Sequence, residues 1–392
     1  MDNVLFRGLE KESMIDNNKK EKKRIAFLSH IDINLYLFRL PIMKELVKQG
    51  HTVYAICPRG EKFDLFKQYG IEALEYKITR KSLNPFKELK TIRNIYKVIK
   101  PLELDILQNF TAKPNIYGSI AGHLAKVPLI VNAVTGLGSF FISKSKKARS
   151  IKAVMETLYK ESNKKANFCI FQNSDDMAYF INKKLVTKEK AVLIKSSGID
   201  TSVFKPNANI SMKDNDSKIK VLMVARAIWH KGIKEYYEAA KLLKDENVEF
   251  ILIGDTDSGN ISCANEEYLN GGNVTWLGHR DDIKEQIEAY DIFVLPSYRE
   301  GVPRTLLEAS SMAKAIVTTD AVGCREVVDE GYNGFLVPVQ DSKVLAKRIL
   351  ELAKDSILRD TMGKNGRIKA INEFDVNVVV RKYLEVYDKN II

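Results

Sequence analysis

Glu300-Gly301-Val302-Pro303-Arg304-Thr305-Leu306-Leu307-Glu308 places two carboxylates eight positions apart, one on each side of a change in local structure. Residues 292–295, Ile-Phe-Val-Leu, are a short apolar run of the kind a buried strand shows, and Pro296 ends it. Gly301 and Pro303 mark a loop, after which Thr305-Leu306-Leu307-Glu308-Ala309 follows a helical pattern that starts near Arg304. The helix N-terminus therefore points into the crevice beyond the strand end. Unpaired amides and the positive end of the helix dipole suit a diphosphate there. Glu300, in the loop, is placed to accept from hexose hydroxyls, and Glu308, one turn into the helix, from the two ribose hydroxyls, since a carboxylate accepts through both oxygens. As isolated residues they would read as a turn carboxylate and a surface helix residue. The strand, turn and helix around them favour a sugar-nucleotide site, with Gly301, Val302, Arg304 and Thr305 as further donor contacts.

Outward from this segment, strands and helices alternate. Residues 25–28, 53–57, 106–108, 129–132, 168–171 and 192–194 read as one series of apolar strands, and 221–225, 250–253, 274–277, 292–295, 316–318 and 335–337 as a second. Two such series predict an α/β protein of two parallel-sheet, Rossmann-like domains, and 392 residues exceed what one core usually fills. Ligands of open parallel sheets bind beyond the strands' carboxyl ends, so two facing crevices make a cleft. The polar stretch 207–218 reads as the linker.

Residues 1–23 carry Lys19, Lys20, Lys22 and Lys23 without the apolar core of a signal peptide, and read as a flexible extension. No apolar run approaches the roughly 18 residues that span a bilayer. Cys57, Cys169, Cys263 and Cys324 have no paired metal-ligand spacing; three of them lie in or beside strand-like runs and read as small core residues, and a cytoplasmic chain without disulfides is expected.

Arg226 ends a strand, and Lys231-Gly232 follows after a short loop. Both cations suit one diphosphate, the arginine as a planar fork and the lysine as a mobile point charge. Fixed cations at a leaving diphosphate stabilise its developing charge without a metal or other cofactor. An unrelated pair of surface charges would look the same in sequence; the apolar strand before them and Gly232 after them favour function.

Glu300 to Ala309 resembles the E-x7-E segment of the retaining glycosyltransferases of family 4, which have the GT-B fold of two Rossmann-like domains facing across a cleft. Val221-Leu222-Met223-Val224-Ala225-Arg226 with Lys231-Gly232 is similar to that family's strand, arginine and Lys-Gly phosphate site. Ser197-Gly198-Ile199-Asp200 with Phe204-Lys205-Pro206 resembles the close of its first domain, and Gly331-Tyr332-Asn333-Gly334-Phe335-Leu336-Val337 its late strand. The resemblance implies an acceptor domain over 24–204, a nucleotide-sugar domain over 205–375 and a last helix, 376–392, crossing back. It implies catalytic roles for Glu300, Arg226 and Lys231, and a base contact near Gly278-His279-Arg280 made through backbone groups.

The acceptor half departs from the wider family. Where many members carry a Gly-rich loop, this chain has Ser29-His30 and then Asn34-Leu35-Tyr36-Leu37-Phe38-Arg39, which suggests acceptor contacts from His30, Tyr36 or Arg39; His30 reads equally as a capping or packing residue. Where relatives place a histidine near the reacting sugar, the sequence is Asn109-Phe110-Thr111-Ala112-Lys113-Pro114, with Lys113 as the substitute. Gly136 and Gly138 allow close backbone approach to a ligand. Phe27-Leu28-Ser29-His30, Arg39-Leu40-Pro41, Arg80-Lys81-Ser82-Leu83-Asn84-Pro85-Phe86 and Gly136-Leu137-Gly138-Ser139-Phe140 resemble the branch that extends undecaprenyl-diphosphate-linked sugars. That resemblance implies transfer of a hexosyl group, N-acetylgalactosaminyl in the nearest case, from a UDP-sugar to a lipid-diphosphate-linked saccharide. The family is held to react on one sugar face, the departing phosphate taking the acceptor proton. Other hexosyltransferases of polysaccharide assembly and a UDP-sugar epimerase share the frame.

Charge supports the acceptor class. Up to Lys205 there are 37 lysines and arginines against 20 acids, and beyond it 25 against 30. A basic first half suits a phosphorylated acceptor or an anionic membrane surface, and no nucleic-acid module accompanies it. Phe140-Phe141-Ile142 beside Lys144, Lys146, Lys147 and Arg149 reads either as a stretch that grazes a membrane or as a solvated helix start. Peripheral association with the inner membrane face is the expected location.

Overall fold

The computed structural model describes residues 21–79, 84–138, 145–207, 217–257 and 262–388. Most of the 1–23 extension and of the 207–218 linker lies outside these residues, as do residues 80–83 and the apolar start of the 140–149 stretch.

Thirteen strands form two sheets among the described residues. β1 (Arg24–Leu28), β2 (Thr52–Cys57), β3 (Glu72–Glu75), β4 (Ile106–Phe110), β5 (Leu129–Val134), β6 (Phe168–Phe171) and β7 (Ala191–Leu193) make the first, in the order β3-β2-β1-β4-β5-β6-β7. β8 (Ile219–Val224), β9 (Val248–Ile253), β10 (Val274–Trp276), β11 (Ile292–Leu295), β12 (Ala315–Thr319) and β13 (Gly334–Val337) make the second, in the order β10-β9-β8-β11-β12-β13. Every pairing is parallel. The central strands are buried on both faces, which is why they read as continuous apolar runs rather than as alternations.

Each sheet reverses its winding once, between β1 and β4 in the first and between β8 and β11 in the second. At those switch points the helices leave on opposite faces and open a crevice at the carboxyl ends. His30 follows β1 and Thr111 follows β4; Arg226 follows β8 and Glu300 follows β11. The fold thus brings the two halves of the site to facing strand ends.

Two apolar layers cover the first sheet and one large core fills the second domain. The last helix, Val376–Asp388, belongs to the first of these layers: Val379, Val380, Tyr383 and Val386 pack with Phe27 and Phe110. Reciprocal backbone bonds from Ile199 N to Phe374 O and from Val376 N to Ile199 O, each 2.9 Å, tie the returning chain to the first domain.

Sequence reading missed β3, and it placed β7 one residue late. β3 is Glu-Ala-Leu-Glu at the sheet edge, exposed at both ends, so its sequence carries no apolar run.

Candidate active site

The second domain builds its wall from two loops knitted together. After β8, a 3-10 turn over Trp229–Lys231 ends at Gly232, whose φ of 82° and tight seat leave no room for a side chain. A Cβ there would fall 2.1 Å from the Pro296 carbonyl oxygen. This contact presses Lys231 against the loop after β11, where Tyr298 N donates to His230 O at 2.9 Å. Lys231 Nζ then meets Glu300 Oε1 at 2.5 Å, and Ser297 Oγ donates to the same oxygen at 2.6 Å. Both charged side chains are largely enclosed.

Arg226 is the exposed member of the set and donates through Nη1 to Asp257 Oδ2 at 2.8 Å. Between them stands His230, its Nδ1 3.3 Å from Ser262 Oγ. Burial first, and then the Lys231 charge, hold its imidazole below the usual histidine range, which favours the neutral ring.

Pro303 precedes the Arg304–Ser311 helix, and Glu308 lies buried within it. Its Oε1 accepts from Arg304 Nε at 2.9 Å. Burial pushes the Glu308 carboxyl above the usual range, and Arg304 draws it part of the way back. Arg304 also donates through Nη1 to Leu37 O of the first domain at 2.8 Å. Val302 and Thr305 are half-buried beside it.

On the facing wall, His30 Nδ1 lies 2.7 Å from Thr111 Oγ1. Thr111 has a φ of 73°, a strained conformation for a branched residue and one that collects at functional sites. Thr135 and Gly136 approach the second domain so closely that a Cβ on Gly301 would fall 2.1 Å from Thr135 O. A cavity of about 300 Å3 lies at this meeting point. Thr135, Gly136 and Gly138 line it on one side; Arg226, His230, Lys231, Arg299, Glu300 and Gly301 line it on the other.

His30, Val302, Arg304, Thr305 and Glu308 are not among the residues that line this cavity, and three further expected side chains are engaged elsewhere. Tyr36 turns into helix packing, edge-on to Phe66 and with its hydroxyl 3.4 Å from that of Tyr69. Arg39 is enclosed in the first domain's core, its guanidinium 4.4 Å from the centre of the Phe110 ring. Helix phase explains both, because the Asp32–Phe38 helix must bury its Leu35 side against the sheet and carries its neighbours with it. Lys113 is bound to Glu88 at 2.8 and 3.0 Å and to Thr79 O at 2.8 Å. The Arg280 side chain makes a two-pronged pair with Asp282, at 2.7 and 2.6 Å, while the base contact expected at 278–280 is one of backbone groups.

Sequence reading also missed Arg299 and the Gln172-Asn173-Ser174-Asp175-Asp176 run. Five polar side chains directly after an apolar strand were the available signal. A larger cavity of about 720 Å3 opens near Glu246, Asp291 and Lys314. It lies at the amino ends of the second sheet's strands, the wrong end for a ligand of a parallel sheet. Among the described residues no group of three His, Cys, Asp or Glu side chains is arranged to hold a metal ion, and no helix is long and apolar enough to cross a membrane.

Comparisons with known proteins give the family and the fold. The chain matches the family "Glycosyl transferases group 1" over residues 205–369 and "Glycosyl transferase 4-like" over residues 24–173. It is 40% identical over 374 residues to the N,N'-diacetylbacillosaminyl-diphospho-undecaprenol alpha-1,3-N-acetylgalactosaminyltransferase of Campylobacter jejuni, covering 93% of this chain and 98% of that protein. It is 29% identical to the UDP-Gal:alpha-D-GlcNAc-diphosphoundecaprenol alpha-1,3-galactosyltransferase of Escherichia coli, covering 87% of this chain and 90% of that one. HepE from Anabaena, solved in complex with UDP-glucose, shares the fold with a TM-score of 0.75 at 22% identity, over 93% of this chain and 99% of that one.

Proposed function

This chain belongs to the family 4 glycosyltransferases of GT-B fold, and from that premise we propose that it moves an N-acetylgalactosaminyl group from its UDP donor to a lipid-diphosphate-linked saccharide, with retention of configuration. The observation that carries the donor half is the Lys231–Glu300 contact at 2.5 Å. It sets a cation and a carboxylate side by side, the pair of groups that a sugar joined to a diphosphate calls for. In this reading Glu300 orients the hexose hydroxyls, Lys231 and the more exposed Arg226 hold the diphosphate, and Glu308 exchanges its Arg304 bond for the ribose diol. Negative charge grows on the departing diphosphate as the glycosyl bond breaks, and two fixed cations stabilise it there without a metal cofactor. That phosphate takes the acceptor proton on the same face. His30 and Thr111, with the Thr135–Gly138 backbone, receive the acceptor.

Membrane association fits one face of the first domain. The Pro85–Ile99 helix carries Lys87, Lys90, Arg93 and Lys97 against the single acid Glu88, which is engaged by Lys113. On the same surface Phe86 is 85% exposed and Leu89 65%, with Leu124 of the neighbouring helix at 58%. Apolar side chains rimmed by cations suit the headgroup region of an anionic bilayer.

A panel of UDP- and GDP-sugars, tested against short polyprenyl-diphosphate-linked saccharides with and without a chelator, examines the whole reading. UDP-N-acetylgalactosamine should be consumed only with acceptor, and equally well in chelator. Consumption without acceptor would mark a hydrolase or epimerase instead.

A further inference from the structure

Phe171-Gln172-Asn173-Ser174-Asp175-Asp176 leaves β6 and enters the Ser174–Asn182 helix, and none of the steps above uses its polar side chains. Two of them reach across the cleft to the Glu300 loop. The Asn173 amide donates to the Gly301 carbonyl oxygen at 2.9 Å and to Asp176 Oδ2 at 3.0 Å. Asp176 N donates back to Asn173 Oδ1 at 2.7 Å, which fixes the orientation of that amide. The Asp176 carboxylate is fully buried and accepts from Arg299 through Oδ1. Arg299 and Gly301 are the residues on either side of Glu300. The first domain therefore holds both flanks of the carboxylate, while Lys231 and Ser297 of the second domain hold its Oε1. Thr135 O, against which Gly301 has no room for a side chain, closes the third side.

We propose that Asn173 and Asp176 are positioning residues for transfer, holding Glu300 in its working geometry only while the two domains are closed. The inference rests on the reading of Glu300 as the carboxylate that faces the donor sugar. A site completed by the second domain alone would be competent with the cleft open, and would expose the glycosyl diphosphate to water. Contacts supplied by the opposite domain restrict competence to the closed, water-excluding state. Other pairs cross the same edge without touching residues 299–301. Arg325 meets Asp175 at 3.0 Å, and Glu326 accepts from Ser174 N at 2.7 Å. They provide a control for domain contact as such.

The test compares Asn173→Ala, Asp176→Asn, Arg325→Ala and Glu300→Gln in the full chain. Steady-state transfer, UDP affinity by calorimetry and thermal midpoint are measured for each. Asn173→Ala and Asp176→Asn should each lower kcat about 10- to 100-fold, the scale of a misplaced reacting group, with UDP affinity unchanged. Arg325→Ala should keep kcat within about twofold. Combining Arg299→Ala with Asn173→Ala should be no slower than the slower single change, because both act on one loop. Asn173→Ala removes no charge, so it carries the inference even where Asp176→Asn unsettles the fold. Wild-type kcat in Asn173→Ala, or a loss of UDP affinity in step with kcat, overturns the proposal. Near-wild-type transfer by Glu300→Gln would instead sink the reading beneath it, so the two failures are distinguishable.

Discussion

The two walls of the cleft are made of different material. The second domain presents ionised side chains already matched with one another: Lys231 with Glu300, Arg304 with Glu308, Arg226 with Asp257. The first presents backbone and small residues at Thr135 to Gly138, with the His30–Thr111 pair. Its charged candidates are engaged elsewhere, Arg39 in the core and Lys113 with Glu88. Matched charges hold each other in place before a ligand arrives, which suits the fixed pattern of a ribose and a diphosphate. Glycine and carbonyl groups suit close approach to saccharides whose shape varies. The difference teaches where chemistry is fixed in this molecule and where specificity is left to shape.

The sharpest way to break this contrast is Glu300→Gln. Loss of its charge should lower kcat about 10²- to 10³-fold, the usual cost of removing one preorganised electrostatic group, while the thermal midpoint holds. Near-wild-type turnover, measured by initial rates at saturating donor, would mean the paired wall is structural only. Next in size is Gly301→Ala, whose new Cβ must displace Thr135 O from 2.1 Å. The walls then cannot meet, and transfer should fall about 100-fold with UDP affinity kept; equal loss of both would show damage confined to the second domain.

A smaller effect separates the walls directly. His30→Ala should raise acceptor KM about tenfold, the worth of roughly one hydrogen bond, and leave donor KM unchanged. A donor effect of equal size would put His30 on the wrong side of the reaction. The smallest is a pH effect. Burial raises the Glu308 carboxyl above its ordinary value, so on acidification it takes up a proton earlier than an exposed glutamate would. Donor KM should then rise a few-fold as pH falls through that raised value, and Glu308→Gln should flatten the limb. A limb of the same shape in Glu308→Gln would assign it to another group.

The same division governs what the sequence could reveal. Strands such as β8 and β11 are buried on both faces and announce themselves as apolar runs, and Glu300 and Glu308 are fixed by a short segment whose turn and helix are local. That local geometry was legible. Tyr36 and Arg39 were not, because the phase of the Asp32–Phe38 helix depends on which side Leu35 buries against a sheet assembled from distant strands. Asn173 and Asp176 were not either: their partners Gly301 and Arg299 lie more than a hundred residues away, 128 and 123 positions respectively. β3, polar and at an edge, left no apolar trace.

The most direct test of the account is the product formed from UDP-N-acetylgalactosamine and a polyprenyl-diphosphate-linked saccharide, its mass and anomeric configuration read together. The expected product is an acceptor longer by one N-acetylhexosamine in α linkage. A β linkage, or UDP released while the acceptor stays unchanged, would contradict it.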